Sequence, residues 1–244
     1  QADGSKGRVL IAADVVIGLP REPRDVWQQD KTFPKWLERQ GELLRHDPQD
    51  WRDRLIAEDL SSRSKDRPFT KVKKGTKAQI AFKRDCDQRT NAESVYCIDS
   101  GAKQVGRASL QFWFEVLLPL RVSYPDRVAI WPFEEVGEAS VVVAECYPAL
   151  CQQQLGLPKN IKTTPSMVVE AVASLRERMA ADWHISDRTW LHGVSSEDEY
   201  DMLTTACWLA LSNEPADLLA LPANAHIPEI DTIEGWMMGL SDGG

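Results

Sequence analysis

The sequence feature that most constrains the fold is a short apolar run, Val141-Val142-Val143-Ala144, that ends in Glu145. Acidic residues and a glycine precede the run and a proline follows it, a pattern typical of an interior strand in a largely parallel sheet. A carboxylate is costly to desolvate unless it is paired, hydrogen-bonded or bound to a cation. Ligands bind at the carboxyl ends of strands in open α/β sheets, so Glu145 is a candidate site residue. A solvent-exposed Glu145, or one that caps the following helix, is the alternative interpretation.

A second apolar run, residues 9–13, ends in Asp14. It predicts another buried strand with a carboxylate near its end, and Gly18 and Pro20 predict the turn that leaves the sheet. We therefore expect Asp14 and Glu145 to lie on neighbouring strands of one sheet, with both carboxylates facing a shared cleft.

Composition indicates a globular α/β protein of 244 residues, with 43% hydrophobic and 27% charged residues and a formal net charge of −8. We expect a single domain over residues 1–244, with a helical and basic subdomain inserted at about residues 25–80.

No apolar run approaches the roughly 20 residues that span a bilayer, and no signal peptide opens the sequence, so we expect a cytoplasmic protein without a membrane segment. The five cysteines are odd in number and lack a CxxC pair, which argues against disulfides and a structural zinc site.

A basic segment, residues 61–84, carries nine Lys or Arg side chains against a single acid, Asp66, within this acidic chain. It is a candidate surface for binding phosphate groups, and a solvated run of charges is the alternative. Before it, large apolar residues follow one another at roughly helical intervals. Residues 25–60 should therefore form two or three short helices, broken at Pro34 and Pro48.

Four helices and two strands are predicted after the basic segment, in addition to the strand that ends in Glu145. The first of the two strands covers residues 128–133, and the second lies in the tail. Pro119 should end the first helix, and Thr164, followed by a proline, should cap the third. Ser196 and Glu199 fit a capping box at the start of the fourth. The predicted ranges are residues 110–120, 149–155, 164–183, a helix from residue 196, and a short strand at residues 233–237.

The acidic residues that these elements carry form one constellation: Asp14, Glu145, and the pair Asp198 and Asp201 near the start of the last helix. Carboxylates from two strands and a helix, converging on one sheet edge, are what a two-metal phosphoryl-transfer site needs, since Mg²⁺ and Mn²⁺ take oxygen ligands. Like charges crowded at a strand end raise one another's pKa. On this interpretation Glu145→Gln slightly stabilises the metal-free protein.

Six short motifs, in order over residues 9–240, also carry a family resemblance. The sequence resembles the domain-of-unknown-function family four-two-nine, whose members are predicted nucleases of RNase H-like, RuvC-like fold. The resemblance implies a mixed sheet flanked by helices, with Asp14, Glu145 and Asp201 at the acidic positions. The motifs are residues 13–20 (ADVVIGLP), 84–87 (RDCD), 144–149 (AECYPA), 162–165 (KTTP), 198–203 (DEYDML) and 234–236 (EGW).

The chain departs from the family pattern near residue 1. Members usually begin with a strand that ends in Asp-Gly and supplies the first metal ligand. Asp3-Gly4 resembles that turn, which makes Asp3 a further candidate ligand, but no strand precedes it in this sequence.

Three functions compete. The leading hypothesis is a Mg²⁺- or Mn²⁺-dependent nuclease with Asp14, Glu145 and Asp201 as catalytic ligands and Asp198 as an auxiliary one. The second is a catalytically inactive RNase H-like scaffold that binds nucleic acid or a protein partner. A thiol hydrolase built on Cys146 with His184 or His192 is disfavoured, because no base stands at motif spacing. The candidate phosphate contacts are Lys73, Lys74, Lys83, Arg84 and Lys162.

Overall fold

The structure is a computed structural model. It describes residues 7–20, 30–46, 54–59, 61–64, 66–71, 82–92, 94–98, 105–158, 164–180, 194–212, 215–221 and 230–240. The chain divides into two compact units. The first comprises Gln1–Glu145 with Leu221–Gly244, and the second comprises Cys146–Ala220.

The first unit contains a parallel sheet of three strands, β1 (Val9–Ala13), β5 (Val128–Ile130) and β6 (Val141–Glu145), with β6 in the centre. In the register of β1 and β6, Val9 lies opposite Val141 and Ala13 lies opposite Glu145. The prediction that the two apolar runs form neighbouring strands is therefore confirmed.

The two runs differ in burial. From Val142 to Glu145 strand β6 is buried, as its position between two strands requires. In β1 only Ala13 is buried, and Val9 is 55% exposed. The prediction of a second buried strand is corrected here: an apolar run can also form a strand that is only partly covered.

A second parallel sheet in the same unit joins β2 (Ile56–Ala57), β3 (Phe69–Lys71) and β4 (Cys97–Ile98) in that order. All pairings between these six strands are parallel, whereas the family resemblance implied a mixed sheet. Together the elements form a mixed α/β arrangement of two small parallel sheets flanked by helices.

Helix α1 (Phe33–His46) continues through Pro34, which occupies its second position, where a proline needs no N–H partner. Its aromatic side chains belong to the main core: Phe33 and Trp36 pack against Trp113, which also contacts Phe69. The described residues of the predicted insertion thus contribute to the core of the first unit.

A helical stretch after β4 runs through Pro119, which was predicted to end it. It comprises α3 (Val105–Phe112), a π-helical turn (Trp113–Leu117) and α4 (Leu118–Ser123). Within the π turn Leu118 donates to the carbonyl of Trp113, five residues back. The wider turn accommodates the proline ring and its missing donor, and the helix continues.

The second unit is helical, with α5 (Pro148–Gln154), α6 (Pro165–Ala180), α7 (Glu197–Leu211) and α8 (Pro215–Leu218). The predicted start of α7 is confirmed: Ser196 is its N-cap, and its hydroxyl accepts the backbone N–H of Glu199 at 3.1 Å. The Glu199 carboxylate accepts from Ser195, one residue earlier than a capping box requires.

Residues 230–240 return to the first unit. A π-helical turn (Ile230–Glu234) stands where the start of a strand was predicted, and only Met237 bridges to the sheet, beside Glu145.

Elsewhere in the first unit lies the short helix α2 (Asp85–Arg89). All five cysteines are free thiols. In the part of the chain that the structure describes, no helix is long and apolar enough to cross a membrane.

Candidate functional site

Glu145 is the last residue of β6 and is only 2% exposed. Both carboxylate oxygens accept hydrogen bonds. Oε1 accepts from Nη2 of Arg84 at 2.6 Å, and Oε2 accepts from Nη1 of Arg84 at 2.6 Å and from the backbone N–H of Ile17 at 2.8 Å. The cost of burying this carboxylate is thus offset by a two-pronged ion pair and a backbone donor.

Arg84 is fully buried at the start of α2, where it is the N-cap residue. Its Nε and Nη2 donate to the two oxygens of Asp87, at 3.1 and 2.8 Å, and its backbone N–H donates to Asp87 Oδ2 at 3.0 Å. Together with the Glu145 bonds, one guanidinium therefore joins two carboxylates. This position corrects the prediction that Arg84 contacts a ligand phosphate, since its donors face the protein interior.

Two backbone carbonyls complete the surroundings of the guanidinium. Nη1 of Arg84 lies 3.3 Å from the carbonyl oxygen of Glu234 and 3.5 Å from that of Ile17. All five N–H groups of the guanidinium thus have an oxygen acceptor. We call Arg84, Asp87, Glu145 and Glu234, each at most 2% exposed, the Arg84 cluster.

The two carbonyls belong to segments that cross at glycines. Gly18 has a φ of 139° and Gly235 a φ of 73°. A Cβ on Gly18 would come closer than 3.0 Å to the carbonyl oxygen of Glu234, and a Cβ on Gly235 equally close to that of Ile17. Only glycine fits at both positions, because each needs a positive φ and lacks room for a side chain.

Three further contacts hold residues 16–18 in place. The Ser109 hydroxyl accepts from the backbone N–H of Val16 at 3.1 Å, and the Trp113 indole donates to the carbonyl of Val16 at 2.7 Å. The Tyr96 hydroxyl donates to the carbonyl of Gly18 at 3.0 Å. The backbone that follows Asp14 is therefore fixed by side chains from several elements.

The charge state of the cluster follows from burial and pairing. Burial lowers the pKa of Arg84, but the carboxylates of Asp87 and Glu145 raise it well above its ordinary value, so the guanidinium stays charged. Burial raises the pKa of Glu145, and the guanidinium of Arg84 acts against this shift. The ionised form of Glu145 thus depends on its arginine partner.

Asp14 follows β1 directly and is exposed, unlike Glu145. The β1–β6 register brings both residues to the same edge of the sheet, as predicted. Their surroundings differ, however: Glu145 lies opposite Ala13 and enters the buried Arg84 cluster, whereas the side chain of Asp14 reaches solvent.

Glu145 does not fit the role of a metal ligand in this arrangement, because both of its oxygens already accept bonds from a cationic side chain. Among the described residues, no group of three or more His, Cys, Asp or Glu is arranged to hold a metal ion. Asp14 fits better, as an exposed carboxylate at the carboxyl end of a strand.

The hydrogen bonds that Glu145 accepts reverse the expectation for Glu145→Gln. The side-chain NH₂ group of a glutamine here would face N–H donors, so we expect the substitution to destabilise the protein.

Asp198 and Asp201 lie on α7 in the second unit. Asp198 is exposed in the first turn, and Asp201 is partly buried and accepts from the side-chain amide of Gln152 at 2.7 Å.

Of the predicted phosphate contacts, Lys83 is partly buried beside the Arg84 cluster. The remaining candidates, Asp3, Lys73, Lys74 and Lys162, lie outside the described residues.

Sequence reasoning did not identify Asp87 and Glu234 as members of the site. Both stand inside motifs of the resemblance, RDCD and EGW. Four of the six motifs supply groups to the Arg84 cluster and its two carbonyls. Membership in one of these motifs is therefore the sequence signal that could have found Asp87 and Glu234.

A scan of protein-family models finds no match to the chain, and neither curated proteins nor solved structures give a significant match. The family resemblance therefore rests on the motifs alone.

Proposed function

We propose that this protein is a divalent-metal-dependent nuclease of RNase H-like fold that hydrolyses phosphodiester bonds in nucleic acid. The observation that carries the proposal is the parallel pairing of β1 with β6, which brings Asp14, the residue directly after β1, and Glu145, the last residue of β6, to one sheet edge. The carboxyl edge of parallel strands is where α/β proteins bind ligands. The motif order supports the same fold.

Within this proposal Asp14 is the described residue that would hold Mg²⁺ or Mn²⁺. The ion would supply Lewis-acid stabilisation of charge on the phosphate. Glu145 and Arg84 act differently, because through the N–H and carbonyl of Ile17 they fix the backbone that follows Asp14. We assign the ion no geometry, because the carboxylates of the Arg84 cluster do not form a ligand set for it.

The first test is metal binding and hydrolysis in Asp14→Asn. A divalent ion that binds only the folded protein stabilises it, by about 2.7 kcal/mol when the free ion is at one hundred times Kd. We expect millimolar Mn²⁺ to raise the Tm of the wild type and to support cleavage of labelled DNA or RNA. Both effects should disappear in Asp14→Asn, because an amide is a weaker ligand for a hard cation.

Asp126→Asn is the matched control. Asp126 is also an exposed aspartate, but it precedes β5 and so lies toward the amino end of the strands. Its substitution should leave both the Mn²⁺-induced rise in Tm and the cleavage of labelled DNA or RNA at wild-type values. Equal losses in the two variants, or equal retention, would show that Asp14 is not the ligand.

The inactive scaffold is a second candidate, favoured by a specific observation: Glu145 is buried and neutralised by Arg84, as in a structural carboxylate. On this alternative the wild type shows neither a Mn²⁺ shift nor cleavage, while binding to a partner persists. Nuclease assays with an active-enzyme standard separate the two candidates.

Binding to nucleic acid is tested through the basic segment. Within its described part, Lys71 pairs with Glu58 at 2.6 Å on the surface, and Arg63 lies over the ring of Phe82. If the segment contacts phosphates, replacing Lys71, Lys73 and Lys74 by Gln should flatten the slope of log K against log salt by about 0.9 for each lost contact on a duplex. Filter binding at several salt concentrations measures this, and an unchanged slope assigns the segment to solubility.

A further inference from the structure

We propose that the Arg84 cluster is a built cation site whose resident cation is the guanidinium of Arg84, and that this side chain is the positioning residue for the segment that carries Asp14. The positioning role of Arg84 does not require nuclease activity. This fully buried side chain contacts four separate parts of the chain, and three of them, at Ile17, Glu145 and Glu234, are distant from it in sequence.

The guanidinium of Arg84 is surrounded by oxygen acceptors. Its acceptors are the carboxylates of Asp87 and Glu145 and the carbonyls of Ile17 and Glu234. Anionic and carbonyl oxygens around a positive charge are the surroundings that proteins also build for metal cations. Here a planar guanidinium occupies the centre, and it bonds each carboxylate through two N–H groups, as its fork geometry allows.

The cluster also holds the backbone at Ile17. Nη1 of Arg84 and Oε2 of Glu145 contact the carbonyl and the N–H of the same residue, Ile17. Ile17 stands three residues after Asp14, and Gly18 follows it at the crossing with Gly235. A backbone held at both of its polar groups cannot rotate without breaking a buried, charge-assisted bond. The cluster thus determines the direction in which the chain leaves β1.

The positive charge of the Arg84 side chain matters as well as its shape. Without Arg84, two carboxylates would remain buried, so the cluster requires a cation and not merely a side chain of the right volume. Arg84→Ala removes the cation and leaves space beside both carboxylates. That space should bind methylguanidinium, which carries the same planar set of donors, in preference to methylammonium or urea.

The experiment measures Tm by thermal unfolding of the full chain, with millimolar methylguanidinium, methylammonium or urea. We expect Arg84→Ala to lower Tm by about 10 °C and methylguanidinium to recover part of that loss in a saturable manner. The wild type should not respond. Arg39→Ala is the matched control, because Arg39 also bonds a carboxylate through two nitrogens, in Asp30, but is 23% exposed, whereas Arg84 is fully buried.

Recovery that is specific to Arg84→Ala and to methylguanidinium supports the proposal, as does folding of that variant only when methylguanidinium is present. No recovery in a folded Arg84→Ala, or equal recovery in Arg39→Ala, overturns it. If Arg84→Ala does not fold under any condition, Arg84→Lys decides. The proposal is supported if Arg84→Lys lowers Tm and the double variant with Glu145→Gln has the same Tm as Arg84→Lys alone, because the two side chains then act in one site. Additive losses of Tm in the double variant, or a wild-type Tm for Arg84→Lys, overturn the proposal.

These outcomes are independent of the nuclease proposal. The effect of Asp14→Asn on the Mn²⁺-induced rise in Tm does not depend on whether methylguanidinium stabilises Arg84→Ala. A protein without Mn²⁺ binding could still require its internal cation.

Discussion

Arg84→Met should lower the free energy of unfolding by about 3–5 kcal/mol at neutral pH, the cost of removing one partner from a buried ion pair. Methionine fills much of the volume but leaves the carboxylates of Asp87 and Glu145 without a cation. Urea denaturation monitored by circular dichroism measures the loss. Arg127→Met is the control: Arg127 is exposed, and we expect a change within about 0.5 kcal/mol.

The pH dependence of this loss provides a sign test. Burial raises the pKa of Glu145, and in Arg84→Met the opposing guanidinium is gone. A carboxyl group whose pKa is raised on folding binds its proton more tightly in the folded chain, so its contribution to stability grows as the pH falls through the folded-state pKa. The difference between Arg84→Met and the wild type should therefore shrink from neutral pH toward pH 4.5, the ordinary pKa of the glutamate side chain. A difference that grows on acidification would contradict a buried, unpaired carboxylate.

Gly235→Ala should cost about 3 kcal/mol or more, because the added methyl group meets the carbonyl oxygen of Ile17 closer than 3.0 Å and the ring of Phe133 at 2.9 Å. Either the two segments separate, which stretches the bonds of both carbonyls to Arg84, or the variant does not fold. Equilibrium unfolding in urea measures the change, and Gly18→Ala should act in the same direction because it faces the carbonyl of Glu234.

Gly156→Ala separates this clash from backbone strain. Gly156 and Gly235 share a φ of 73°, but a Cβ on Gly156 would have no neighbour within 4 Å. The control should therefore cost only the left-handed conformation of an alanine, about 1 kcal/mol. Similar losses in the two variants would mean that the crossing of the segments has room for a side chain.

Local signals in the sequence predicted several elements well. The apolar run of β6 and the proline that opens α5 were sufficient for their placement. The cap of α7 was equally clear, because Ser196 satisfies an orphan N–H at its own end of the helix. Each of these features depends on residues within a few positions of one another.

Predictions from local sequence were wrong where packing between residues distant in sequence determines the structure. Pro119 did not end its helix, because a π turn between α3 and α4 accommodates it, and Trp113 in that turn packs in the aromatic core with Phe33 and Phe69. The run of β1 predicts a buried strand although most of it is partly exposed, since an apolar sequence does not reveal what covers it.

The sequence by itself determined which residues stand at the sheet edge. The lengths of two apolar runs place Asp14 and Glu145 at the ends of β1 and β6, and strand pairing brings those ends together. What Glu145 contacts there was decided only by tertiary structure. Its partner Arg84 is 61 residues away in the chain, and the crossing glycines, Gly18 and Gly235, lie near opposite ends of it. A carboxylate that binds a metal and one that pairs with a buried guanidinium look alike in sequence, because both follow an apolar strand. Only the folded chain determines which cation reaches the carboxylate.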